Sequence, residues 1–131
     1  MNLTFSIVLH PRFLAPDRQF LLSEAVSLAL TDMLETYGID ARIKWPNDIY
    51  VLGASECDTA GKPCGDYSPL SPSKITGILI ENDIQGTGIS RSIVGIGLNV
   101  NQKAFSPALP NPPSMALAAG HGFDRAEVLE R

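Results

Sequence analysis

The side chains of this 131-residue chain best equipped for chemistry are gathered in Lys44-Trp45-Pro46-Asn47-Asp48-Ile49-Tyr50. An ammonium, an amide and a carboxylate stand within five positions, beside the chain's single Trp. Ala41-Arg42-Ile43-Lys44-Trp45 alternates and reads as a strand, which places Trp45 inward as a packing residue and Lys44 on the other face. Pro46 cannot donate to a ladder, so pairing stops or bulges there. Asn47 and Asp48 favour a turn, because their short side chains bond nearby backbone. Ile49 to Leu52 restarts a strand. Polar groups at a break between strands are well placed to face a ligand. The same residues also describe a plain hairpin turn capped by Asp48.

The elements that must hold this turn follow from patterning. Leu3-Thr4-Phe5-Ser6-Ile7-Val8-Leu9 reads as a strand with at least one buried face, ended by Pro11. Pro16 to Tyr37 is a helix: Pro16 suits the first turn, and Leu22, Ala25, Ala29, Met33 and Tyr37 recur at helical spacing, widened by Val26 and Leu30. Gly38 is its stop. The stretch 53–73 is rich in Gly, Pro and Ser, without period, and reads as a long surface insertion loop or lid. Lys74 to Asn82 is a strand, buried on both faces, in which Gly77 marks a bulge or a close approach. Asp83 to Gly88 is a hairpin turn, and Ser92 to Asn101 the return strand. Alternation puts Gly95, Gly97 and Asn99 on one face. Glycines clustered on adjacent strands leave a slot where a flat ligand can lie against backbone. A closely packed helix would also suit such glycines, though it explains one better than three. Phe105 to Pro113 carries four prolines and reads as an extended connector. Ser114 caps a short helix, Met115–Ala119, stopped by Gly120. Asp124 with Glu127 resembles a capping box opening another.

Composition narrows the function. Hydrophobic residues make up 44% and charged residues 18%, with a net charge of -4, the profile of a soluble globular domain. No basic run exists, which argues against a nucleic-acid groove. No apolar run is long enough to span a membrane, and no signal peptide shows. Cys57 and Cys64 are therefore expected as reduced thiols in a cytoplasmic protein, and without His partners they suggest no metal site. His10 and His121 stand in no partner constellation.

Three stretches in order, Lys44-Trp-Pro-Asn-Asp48, Lys74-Ile-Thr-Gly-Ile-Leu-Ile-Glu81 and Gly95-Ile-Gly-Leu-Asn-Val-Asn101, resemble the catalytic domain of biotin–protein ligases. The resemblance runs from Asn2 to about Leu117. It implies a ligase that uses ATP and Mg²⁺ to convert biotin into biotinyl-5′-adenylate. Biotin then passes to a lysine of a biotin carboxyl carrier domain. It assigns Lys74 to the biotin carboxylate and the α-phosphate, where an ammonium neutralises two anions brought together. Asp48 orients the acceptor amine or the nucleotide. Asn47 and Asn99 are implied as nucleotide- or Mg²⁺-side polar contacts, and Asp48 and Lys74 join them around ATP. Gly77, Leu79, Gly95 and Gly97 are implied around biotin. No metal ligand is assigned.

The fold implied is α/β: a mixed, mainly antiparallel sheet with helices on one face. The family's Gly/Arg-rich loop before the Asn2-Leu3-Thr4 strand and its small C-terminal β-domain have no counterpart in the sequence. Residues 1–131 are accordingly expected to form a partial catalytic domain, weak or inactive alone, with an exposed sheet edge that favours a homodimer. A lipoate- or octanoate-transferring enzyme of the same superfamily, and a non-catalytic biotin-binding or dimerising paralogue, are the alternatives. Neither nucleic acid nor membrane is an expected partner.

Overall fold

A computed structural model of the chain describes residues 2–51, 73–105 and 113–131. Five strands form one sheet: β1 (Leu3–Leu9), β2 (Ala41–Lys44), β3 (Asp48–Val51), β4 (Ser73–Gln85) and β5 (Gly88–Leu98). Their order is β1-β5-β4-β3-β2, and every described pairing is antiparallel. Helices α1 (Phe20–Thr36), α2 (Met115–Ala119) and α3 (Arg125–Glu130) complete the fold. Most of the expected 53–73 loop, with both cysteines, and most of the expected proline connector lie outside the described residues.

Leu30 and Leu34 of α1 meet Ile49, Ile75, Ile78, Val94 and Ile96 of the sheet. Met115 and Val128, from α2 and α3, join the same core. Each large aliphatic side chain buried in this way contributes about 1.5–3 kcal/mol. The buried line along α1 runs through Ser27, Leu30 and Leu34. It is turned from the expected stripe, because the bulkier leucines take the core and leave Ala25 and Ala29 exposed. A 3-10 turn at Pro16–Arg18 precedes the helix, so α1 starts later than expected. It ends as expected: Tyr37 is the C-cap and Gly38 has φ 73°. The start at Ser114 and the stop at Gly120 also fall where the sequence placed them. The Ser114 side chain accepts from the Leu117 N–H, and Gly120 has φ 77°. Asp124 caps α3 by accepting from the Ala126 N–H.

The expectation that β4 is buried on both faces fails. Leu79 is 65% exposed, while its neighbour Ile78 is 3% exposed. Helices cover one face of the sheet, and the other lies open among the described residues. The hairpin between β4 and β5 is also tighter than expected. Only Gly86 and Thr87 form the turn, with Gly86 at φ 63°, and both strands extend into the stretch read as a loop. Gly88 packs against the chain after β1; a Cβ there would lie 2.6 Å from the Arg12 carbonyl oxygen.

Candidate functional site

The open face owes its shape to register. Thr4 pairs with Gly97, Gly97 with Gly77, Gly77 with Asp48, and Asp48 with Lys44. Paired residues point the same way, so these five form one row across the sheet. The neighbouring row carries Ser6, Gly95 and Leu79. Three glycines set side by side remove a patch of side chains. The result is an open trough of about 370 Å³ whose floor is strand backbone. Its lining includes Thr4 and Ser6 at one side, Leu79 as an apolar wall, and Asn47, Asp48 and Lys74 at the other. A Cβ on Gly97 would meet nothing within 4 Å, so that glycine leaves space for a ligand and not for a neighbouring element.

A bulge delivers Lys74 to this face. Ile49 pairs with Thr76, but Tyr50 pairs with Lys74, leaving Ile75 as an extra residue in β4. Ile75 and Thr76 are both buried, and alternation resets across them. Without that reset, Lys74 would point with Thr76 and Ile78 toward the core. With it, Lys74 shares the open face with Gly77. Its Nζ reaches Asp48 Oδ1 at 2.6 Å, with side chains 49% and 23% exposed. Lys74 lies directly over Gly77, where a Cβ would come within 3.0 Å of its Cε and Nζ. Gly77 thus gives the lysine its path to Asp48.

Asn47 fixes the turn. Its Nδ2 donates to the Ile78 carbonyl at 2.9 Å, and its own carbonyl accepts from the Ile78 N–H at 3.0 Å. Ser23 of α1 donates to the Pro46 carbonyl at 2.8 Å. Asp48 therefore leaves a turn held from two sides. Trp45 is not the inward packing residue expected. It lies beyond the end of β2, is 74% exposed, and stacks on Phe20 with ring centroids 6.1 Å apart. Lys44 does point away from the core, but that is the face of the site.

Most of the residues singled out in the sequence come together here: Asn47, Asp48, Lys74, Gly77, Leu79, Gly95 and Gly97. Asn99 does not. β5 ends at Leu98, and the Asn99 amide accepts from Asn2 Nδ2 at 3.1 Å and donates to the Pro113 carbonyl at 3.3 Å. The hydroxyls of Thr4 and Ser6 were missed. Their alternation with Leu3, Phe5 and Ile7 marked them as one face of β1, but only the pairing with β5 sets them beside the glycines. His10 and His121 lie outside the lining, and no group of three potential metal ligands occurs among the described residues. A larger cleft, about 510 Å³, opens between α1 and β2. It is edged by Asp32, Glu35 and Asp40, and its only cation among the described residues, Arg42, is already paired with Asp40 at 2.6 Å. It offers an anion no unpaired cation among the described residues, and the trough is the candidate site. No described helix is long and apolar enough to cross a membrane.

Known proteins are similar to this chain in sequence and fold. A profile of the biotin/lipoate A/B protein ligase family matches residues 1–101. The bifunctional ligase/repressor BirA of Bacillus subtilis (strain 168) is 33% identical over 129 residues, covering 95% of this chain and 34% of that protein. The chloroplastic biotin–protein ligase 1 of Arabidopsis thaliana is 31% identical over 101 residues, covering 75% of this chain and 22% of that one. The structure of the Aquifex aeolicus biotin protein ligase in complex with biotin and ATP superposes with a TM-score of 0.69 at 27% identity. It spans 98% of this chain and 45% of the other. A lipoate protein ligase from Thermoplasma acidophilum, at 15% identity and a TM-score of 0.54, shares the fold. The chain spans about a third of the length of the Bacillus relative and less than half of the Aquifex structure. The five-stranded sheet, the glycine-floored trough and these matches together place the chain in the biotin/lipoate A/B protein ligase family, on its biotin–protein ligase side.

Proposed function

We propose that the trough binds biotin and ATP, joins them as biotinyl-5′-adenylate, and passes biotin to a lysine of a carboxylase's biotin carboxyl carrier domain. One observation carries this reading: a lysine and a carboxylate, 2.6 Å apart, at the end of a backbone-floored trough in a chain of this family. The Aquifex relative, bound to biotin and ATP, supports the choice of ligands.

In the first step a biotin carboxylate oxygen attacks the α-phosphorus of ATP, and pyrophosphate leaves. The Lys74 ammonium offsets the repulsion between the two anions as they meet and the charge that develops between them. Gly77, Gly95 and Gly97 let the biotin ring lie against backbone, with Leu79 beside it. In the second step the carrier amine attacks the anhydride carbonyl, and AMP leaves. Asp48 is placed to take the proton from that amine. Asn47 acts on the nucleotide side by holding Asp48 in place. Asn99 would have to exchange its bonds to Asn2 and Pro113 to reach a nucleotide.

Mg²⁺ fits the site as a companion of ATP. The described residues offer it no cage of three ligands. An ion held mainly by phosphates needs only one or two carboxylates, and Asp48 supplies one. Its contribution when bound is to neutralise phosphate charge. The reaction needs a compartment that supplies ATP, and we assign the chain to the cytoplasm. Strand β1 ends the sheet with a free edge among the described residues, and we assign to that edge pairing with a second copy. A dimer mass in light scattering that persists on dilution to low micromolar would support it, and a monomer at all concentrations would refute it.

The experiment that tests the reading is calorimetric titration of the chain with biotin, with and without ATP and Mg²⁺, and with lipoate as competitor. Biotin binding that ATP strengthens and lipoate fails to displace is the expected result. A folded sample that binds no biotin overturns it.

A further inference from the structure

We propose that the groove between α1 and β2 is a docking site for an extended protein segment of the form tyrosine-x-basic-x-basic. The groove lies on the helical side of the sheet, because Ile43 in its wall pairs with the buried Ile49. Its occupant therefore does not compete with a ligand in the trough. Two openings, of about 210 and 510 Å³, share Ile43 in their lining. The helix contributes Glu24, Ser27 and Leu28 to the first and Thr31, Asp32 and Glu35 to the second. These positions recur at three- and four-residue spacing, so they form one continuous face of α1. The opposite wall, β2, is the last strand of the sheet and pairs only with β3 among the described residues. Its outer edge presents backbone groups that an extended chain can pair with.

The two ends of the groove differ in chemistry. The smaller opening is apolar: Leu28, Ile43 and the stacked pair Phe20 and Trp45 are all exposed around it. Exposed apolar side chains gathered in this way fit another apolar group. One buried polar group interrupts them. Ser27 is 1% exposed and lines the opening, and its Oγ has no hydrogen-bond partner among the described residues. A tyrosine side chain brings an apolar ring to the wall and a hydroxyl to that Oγ. The larger opening is acidic. Arg42 neutralises Asp40 there, but Asp32 and Glu35 form no ion pair among the described residues. They lie five and eight positions beyond Ser27, about 8 and 12 Å along a helix. An extended chain advances about 3.3 Å per residue and alternates its side chains. Basic residues two and four positions from the tyrosine therefore face Asp32 and Glu35 in turn.

The test titrates acetyl-Tyr-Thr-Arg-Thr-Arg-amide into the isotope-labelled chain and follows the indole N–H resonance of Trp45, unambiguous because the chain holds one Trp. That resonance should move on binding, while those of Gly95 and Gly97 in the trough stay in place. Replacing the peptide's Tyr with Phe should weaken binding about fivefold, the change expected for one hydrogen bond between neutral groups. In Ser27→Ala the Tyr and Phe peptides should bind alike. Replacing both Arg with Glu should weaken binding about tenfold or more, as two lost ion pairs beside a carboxylate pair would. The double variant Asp32→Asn, Glu35→Gln should remove most of that difference. Circular dichroism checks that each variant is folded. A Trp45 resonance that stays in place at millimolar peptide overturns the proposal. So does a Tyr-to-Phe ratio that Ser27→Ala leaves unchanged, or equal binding of the Arg and Glu peptides. A peptide that moves Gly95 and Gly97 in place of Trp45 occupies the trough, and that result overturns it as well.

Discussion

Two single side chains divide the proposed chemistry from its surroundings. Among the described residues Lys74 is the only lysine lining the trough, and it is paired with Asp48. Lys74→Ala should abolish adenylate formation, read as pyrophosphate release, whereas His121→Ala should leave it intact. His121 touches Phe123 and lies outside the trough. Equal effects of the two changes would remove Lys74 from its role. The glycines separate in the same way, because their surroundings differ. Gly97→Ala adds a methyl group to open space in the trough, where nothing stands within 4 Å of it. It should leave the melting temperature near that of the wild type and weaken biotin binding. Gly88→Ala drives a Cβ to 2.6 Å from the Arg12 carbonyl oxygen, a backbone atom that has no rotamer in which to escape. It should destabilise the fold by about 1–3 kcal/mol, as overpacking does, in a urea titration, with biotin affinity unchanged in the folded fraction. A Gly97 variant that melts early, or a Gly88 variant that melts normally, would contradict these assignments.

At the scale of elements, what the sequence showed and what it hid have physical causes. The strands, the single long helix, the cap at Ser114 and the stops at Gly38 and Gly120 were legible, because apolar period and cap chemistry are local properties. Sheet register is not local. Thr4 and Ser6 are two hydroxyls in a strand until β5 pairs with β1 and sets them beside Gly97 and Gly95. The β4 bulge was hidden for the same reason. Strict alternation sends Lys74 to the core, and only the pairing of Tyr50 with Lys74, past the extra Ile75, turns it outward. Burial was misjudged where an apolar residue faces the open trough and not a helix. Leu79 looks like core by composition and is 65% exposed. The Asn47 clamp has its own test. Asn47→Ala removes the bond to the Ile78 carbonyl and should cost about 1 kcal/mol in stability. Because the clamp aims Asp48, the transfer step should slow more than this loss of stability explains, measured as biotin delivered to a carrier domain at saturating adenylate. A variant that loses stability yet transfers normally would make the clamp purely structural.

Among the described residues the core lies on one side of a single sheet and the trough on the other. The face proposed to bind is thus not the face that holds the fold together, and the two can be perturbed apart. A ligand that binds only the folded chain stabilises it by mass action, by about 2.7 kcal/mol when present at one hundred times its dissociation constant. For a chain of this size that corresponds to a rise of roughly 10 °C in melting temperature. Biotin with ATP and Mg²⁺ should therefore raise the melting temperature of the wild type by about this much at that excess. In Gly97→Leu, which fills the trough without touching the helical side, the unliganded melting temperature should stay close to that of the wild type and the rise should vanish. Leu34→Ala does the converse. It opens a cavity in the core, where Leu34 is 0% exposed, at a cost of about 2–5 kcal/mol. The starting melting temperature should fall, but at the same multiple of the dissociation constant the ligand should still provide a comparable increment. If Leu34→Ala lost the ligand's increment as fully as Gly97→Leu, the two faces would be coupled, and the trough would depend on core packing as well as on its glycines.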